Sequence, residues 1–126
     1  PALVVIIEGE SEDTESGVTG FDRLMDMKDP PTAVFLTSDF KAIGALQAAE
    51  RRGLDVPGDV SIVGYDDMYV GQFVHPGLTS INQNTYLLGK KAVELLTGWN
   101  DESPGVPKEE IVPSLIIRDS TAERST

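Results

Sequence analysis

Two apolar runs in this chain end in carboxylates. "TAVFLTSD" (Thr32–Asp39) closes on Ser38 and Asp39, and "VSIVGYDD" (Val60–Asp67) closes on Asp66 and Asp67. Two unit charges about 5 Å apart repel by roughly 3 kcal/mol at an effective dielectric near 20, and the chain already carries a net charge of −11. Groups placed this way have three outlets. They can cap the helix that follows. They can accept hydrogen bonds from ligand hydroxyl or amine groups, where a charged acceptor contributes roughly 1.5–3 kcal/mol. Or, with a neighbouring hydroxyl, they can hold Mg²⁺ through water. Asp39 before "FKAIG" and Asp67 before "MYVGQF" are placed for capping. Asp66, still at the strand end, is the candidate for a ligand.

The remaining candidates carry less. His75 is the only histidine and has no local nucleophile, so it reads as a loop residue before Pro76. Trp99, beside a helix end, reads as packing. "LGKKA" (Leu88–Ala92) lacks the upstream Gly and following Ser/Thr of a P-loop, and no G-x-S-x-G, H-E-x-x-H or G-x-G-x-x-G occurs. A receiver-like Mg²⁺ phosphoacceptor would resemble a domain with its acidic pair after the first strand and a lysine after the last. Here the pair follows the third strand, and "SLIIRDS" offers no lysine.

Composition narrows the classes further. The 126 residues suit one domain or a piece of a larger one. Acidic residues outnumber basic ones 21 to 10. The basic residues are scattered (Lys41, Arg51, Arg52, Lys90, Lys91, Arg118), so the phosphate-neutralising cluster of a duplex-binding surface is missing. There is no cysteine, hence no disulfide or thiolate chemistry. No apolar run approaches membrane-spanning length. The start at "PALVVII", without an initiating Met, is expected of a fragment.

The candidate residues need elements to hold them. "ALVVIIEG" (Ala2–Gly9) reads as a buried strand. Val18, Phe21, Leu24 and Met25 recur at helical spacing, with acidic Glu12, Asp13 and Glu15 at the N-terminal end and Pro30–Pro31 as the stop. Thr32–Asp39 is a second strand. Ala42, Ile43, Leu46 and Ala49 mark a helix capped by Ser38 or Asp39 and ended by Gly53. "VSIVGY" and "LTSINQ" (Leu78–Gln83) are further strands. Asn84 caps a helix with Leu88, Ala92, Leu95 and Leu96 on one face, ended by Gly98. "EEIVPSLIIRDS" is a last strand broken by Pro113, at an edge or at a change of partners. Asn100–Glu109 alone has linker character. Strands alternating with amphipathic helices predict an α/β fold with a parallel sheet flanked by helices on both faces.

Several motifs together carry a family resemblance. "PTAVF" followed by the pair "SD", then "G-L-x-VP-x-DVSIVGYDD", then "P-x-LTSI-x-Q…LGKKAVELL" resemble the effector-binding part of the lactose-repressor/galactose-repressor family of bacterial transcription regulators. The resemblance covers nearly the whole chain. It implies the C-terminal lobe of a type I periplasmic-binding-protein-like fold, in which two α/β lobes close over a small effector. By resemblance, residues 1–82 and 114–126 form that lobe, while 84–112 belong to the N-terminal lobe. The DNA-binding helix-turn-helix of the family is absent from this chain.

The resemblance also assigns roles. Asp66 stands at the family's ligand-binding aspartate, Ser38 where relatives usually carry Asn, and Gln83 at the lobe crossover near the cleft. Glu12 falls where many relatives have a stacking aromatic, which implies a polar or cationic effector over an ordinary sugar. Ile43, Gln47 and Arg51, with Met68, Tyr69 and Phe73, are implied as the dimer interface. The helix from Tyr86 to Gly98 lacks a partner lobe here, so the fragment is expected to dimerise or swap that segment with a neighbour. The expectation is a cytoplasmic effector sensor for a repressor, with no catalysis, cofactor, metal or membrane contact, reaching DNA only through the missing domain. Its nearest rival is a periplasmic sugar-binding protein of similar fold.

Overall fold

In this computed structural model residues 11, 13–99, 105 and 107–123 are described. The strand expected at Ala2–Gly9, Glu12 and most of the Asn100–Glu109 loop lie outside them. Helix α1 (Thr14–Met25) starts where Asp13 accepts the Ser16 backbone N–H at 2.8 Å, a bond that holds the Asp13 carboxyl below its ordinary range. Phe21 and Leu24 are its buried apolar residues. Strand β1 (Ala33–Phe35) leads into helix α2 (Asp39–Arg51), whose buried residues include Ala42, Ala45, Leu46, Ala48 and Ala49. Strand β2 (Ser61–Tyr65), a 3₁₀ turn (Tyr69–Gln72) and strand β3 (Thr79–Asn82) follow. Helix α3 (Thr85–Gly98) and strand β4 (Ser114–Ile116) complete the order.

The sheet order is β1-β2-β3-β4. The first three strands are parallel, with Val34 beside Ile62 and Gly64 beside Ser80. Strand β4 is antiparallel to β3, with Asn82 opposite Ser114. The sheet is therefore mixed rather than wholly parallel. The chain leaves β3 through α3 and comes back in the opposite direction, and β4 begins immediately after Pro113, which has no N–H to offer a ladder.

The core joins α1 and α2 to the sheet face carrying Val34, Ile62 and Leu78. The two helices touch backbone to backbone: a Cβ on Gly44 would fall 2.0 Å from the Thr14 carbonyl oxygen. At their C-terminal ends Arg52 pairs with Asp22 at 2.9 Å and with Asp26. Phe35 and Leu115, on the opposite sheet face, are 54% and 55% exposed. Cover on both faces is thus not seen among the described residues. No described residue of α3 is buried, and Leu88 and Leu96 stand exposed.

One residue fastens the end of the chain. Ser120 is fully buried between the beginnings of β2 and β3. Its Oγ donates to the Ile62 carbonyl at 2.6 Å and accepts the Thr79 N–H at 2.8 Å, while its carbonyl accepts the Ile62 N–H at 2.8 Å. A serine thus fills the gap where the two parallel strands have not yet paired. Ser120→Ala would orphan the Thr79 N–H and one bond to Ile62, so it should destabilise the fold by about 1–3 kcal/mol, read as a lower urea midpoint at an unchanged m-value.

Candidate ligand-binding edge

The C-terminal ends of β1, β2 and β3 bring Ser38, Asp39, Asp66, Asp67, Asn82 and Gln83 to one edge of the sheet. In open parallel sheets this is the edge at which ligands sit. Each carboxylate there has a different partner set.

Ser38, in extended backbone conformation, is the N-cap of α2, and its Oγ accepts the Lys41 N–H at 3.3 Å. That corrects the reading of Asp39 as a cap. Asp39 is the first helical residue and fully buried, and its carboxylate points to the sheet instead. Oδ1 accepts the Ser80 hydroxyl and Oδ2 accepts the Met68 N–H, both at 2.6 Å. Burial pushes the Asp39 carboxyl above its ordinary value. The bonds from Ser80 and Met68 oppose that rise, and the nearby charges of Asp66 and Asp67 add to it.

Asp67 does not cap the following turn either. That turn's N-cap is Met68, with no side-chain bond. The Asp67 carboxylate accepts from Arg118 Nη2 at 2.6 Å and from Asn82 Nδ2 at 2.8 Å. Its own N–H donates to Ser80 Oγ at 3.0 Å. Arg118 also donates to the Leu78 carbonyl at 2.6 Å. The charge of Asp67 is therefore neutralised by a cation that enters just after β4.

Asp66 is the carboxylate left over. It is half-buried, and Gln83 Nε2 donates to its Oδ1 at 2.7 Å. It makes no ion pair among the described residues. Its backbone has φ 111° and that of Asp67 has φ 51°, both in the region disfavoured for residues with a Cβ. Two such residues in succession, at the end of the central strand, are the kind of local strain held at binding sites. Of the residues expected at the site, the structure brings Asp66 and Gln83 into contact. Ser38 sits on the same edge, buried, with its Oγ at the helix cap. Glu12 is outside the described residues.

The chain matches the periplasmic binding protein-like domain over residues 3–121. It belongs to that family. It is 39% identical over 119 residues to the HTH-type transcriptional repressor PurR of Haemophilus influenzae (strain PittEE), covering 91% of this chain and 35% of that protein. It is 43% identical over 108 residues to the HTH-type transcriptional repressor CytR of Escherichia coli (strain K12), covering 85% of this chain and 32% of that one. Among solved structures, a putative LacI transcriptional regulator from Bacillus cereus subsp. cytotoxis superposes with a TM-score of 0.82 at 30% identity, over 90% of this chain and 40% of that chain. A dimeric Lac repressor with an 11-residue C-terminal deletion superposes with a TM-score of 0.81 at 30% identity, over 90% of this chain and 42% of that one. The resemblance to lactose-repressor-type regulators therefore stands. The chain spans about a third of the length of the curated relatives it matches, and these are named as repressors rather than enzymes.

The residues implied for dimerisation fall on two neighbouring elements of the family fold. Gln47 and Arg51 are exposed on α2 and Ile43 is half-buried. Arg51 also reaches Asp22 of α1 at 3.3 Å. Tyr69 and Phe73 are 77% and 63% exposed and stack edge to face at 4.9 Å. Met68 is half-buried, its N–H held by Asp39.

Sequence reasoning missed Ser80, Asn82 and Arg118, and misassigned Asp39 and Asp67 as caps. Arg118 read only as one of several scattered cations, because its partner lies 51 residues away. The Ser-Asp order was the available signal, since serine is as good an N-cap as aspartate and precedes it.

Two measurements follow from this geometry. Asp39 binds its proton more tightly folded than unfolded. Its stabilising contribution is complete below the ordinary value of 3.8 and is lost as pH rises through the higher native value. Wild-type stability minus that of Asp39→Asn should therefore fall with rising pH above about 4, as followed by denaturant titration. At Asp66, Gly adopts positive φ freely and Ala does not, so Asp66→Gly should be more stable than Asp66→Ala by about 1 kcal/mol or more.

Proposed function

We propose that this chain is the effector-sensing and dimerisation part of a bacterial transcription regulator. It binds a small polar ligand, a sugar or similar molecule, and so controls DNA binding. The carrying observation is Asp66, a strand-end carboxylate with one oxygen fixed by Gln83 and no ion pair among the described residues. A carboxylate oriented in this way suits paired hydroxyl or amine donors on a ligand, and charge-assisted bonds make it specific. The repressor names of the relatives favour this reading over a transport protein.

In this reading residues 1–82 and 114–126 belong to one lobe and 84–112 to the other. The bare apolar face of α3 supports it, because Leu88 and Leu96 need a surface that the rest of the described chain does not give them. Ligand bound between the lobes would favour the closed arrangement by its differential contacts, altering the spacing of paired DNA-binding domains. The chain's acidity supports a reading in which DNA is contacted by another part of the protein. The stacked Tyr69 and Phe73, exposed beside α2, suit the apolar centre of a homodimer interface in the cytoplasm. Ser38, on the same edge, and Glu12 are the further ligand candidates by resemblance.

A thermal-shift screen of sugars, nucleobases and amines on the complete regulator would find the effector. With that hit, Asp66→Asn should weaken binding by about 1–3 kcal/mol, roughly a 5- to 150-fold rise in Kd by isothermal titration calorimetry. An unchanged Kd would remove Asp66 from the site.

A further inference from the structure

The ligand reading gives no task to the most buried carboxylate among the described residues. Asp39 is fully buried one strand away from Asp66, and its carboxylate is occupied by Ser80 and the Met68 backbone. Its two carboxylate oxygens hold consecutive backbone amides of the Asp66–Met68 corner. Oδ2 takes the Met68 N–H directly at 2.6 Å. Oδ1 takes the Ser80 hydroxyl at 2.6 Å, and Ser80 Oγ takes the Asp67 N–H at 3.0 Å. The Asp66 N–H goes to the Ile81 carbonyl at 2.9 Å. Three amides in a row are thus fixed, two of them through Asp39.

These are the amides that flank the two positive-φ residues. Such a conformation costs of order 1–3 kcal/mol per residue and persists only where its surroundings impose it. The fit of the carboxylate is close. A Cβ on Gly64 would come within 2.2 Å of Asp39 Oδ1, so the central strand is cut back to admit it. Asp39 is itself anchored in the first turn of α2, where backbone N–H groups favour an anion.

We propose that Asp39 is a positioning residue: through Met68 and Ser80 it imposes the Asp66–Asp67 corner, aiming the Asp66 carboxylate at the ligand and seating the Tyr69–Gln72 turn. The proposal rests on the reading of Asp66 as the ligand acceptor. It makes the ligand edge and the exposed aromatic turn two ends of one rigid corner, both set from the N-terminus of α2. Gln83 reports on the aim, because its side-chain amide is bound only when the Asp66 carboxylate points toward it.

The test needs no ligand, which keeps it separate from the binding measurement on Asp66→Asn. The isotope-labelled complete regulator is followed by NMR, with amide hydrogen exchange at residues 66–68 and the Gln83 side-chain NH₂ signals as readouts. In Asp39→Asn, exchange at Asp67 and Met68 should accelerate at least tenfold relative to the Ile62 amide in the core. The Gln83 NH₂ signals should move to the positions of a free side chain. In Ser80→Ala, which cuts only the relay, Asp67 should lose protection while Met68 keeps it. Should Asp39→Asn not fold, this second variant decides alone. Retained protection at Asp67 and Met68 would overturn the proposal. So would an equal loss at Ile62, which marks a merely structural role, or loss at both corner amides in Ser80→Ala.

Discussion

The edge of this sheet depends on a carboxylate that water does not reach. A buried charge is costly unless hydrogen bonds and local dipoles compensate it. Asp39 has both: a position in the first turn of α2, the Ser80 hydroxyl and the Met68 N–H. Those same bonds connect four pieces of chain: the start of α2, the middle of β3, the corner after β2 and the turn beyond it. The small residue at 64 is a condition of that contact, since any Cβ there would occupy the place of Oδ1. Removing the carboxylate would release several elements together, because no other described side chain joins all four.

That contact also shows how three neighbouring carboxylates coexist. Repulsion is managed by giving each one a separate solution. Asp39 is buried and hydrogen-bonded. Asp67 is ion-paired to Arg118 and further bonded by Asn82. Asp66 lies at the edge with, among the described residues, a glutamine amide against its carboxylate and no ion pair. The partition is what leaves Asp66 open for the ligand role proposed for it. A second cation at the edge would have neutralised it, and a second buried position would have hidden it. Asn82, at the end of β3, and Arg118, just after β4, donate to the same carboxylate, so Asp67 ties the ends of these two strands together.

Much of the fold was legible in the sequence. Apolar runs of four to six residues and helical spacing of Phe21, Leu24, Ala42 and Leu46 located α1, α2, β1, β2 and β3, and Asn84 was read correctly as the α3 cap. The periodicity marked an apolar stripe on α3, and the family resemblance alone implied that it lacks a covering lobe; among the described residues no residue of α3 is buried. Pro113 marked the break before β4. The reversal of β4 and the insertion of Ser120 between β2 and β3 were not legible. Strand direction depends on where the returning chain re-enters, and Ser120 meets partners 41 and 58 residues away.

The sequence by itself determined the carboxylate-ended strands, the family and the placement of Asp66 at a strand end, because these rest on local pattern and ordered motifs. Which carboxylate would be buried, which paired and which left open was decided only by tertiary structure. Asp39, Asp66 and Asp67 are chemically the same side chain. They differ in what Ser80, Arg118 and Gln83 bring to them from other strands, and those distances exist only once the sheet has formed.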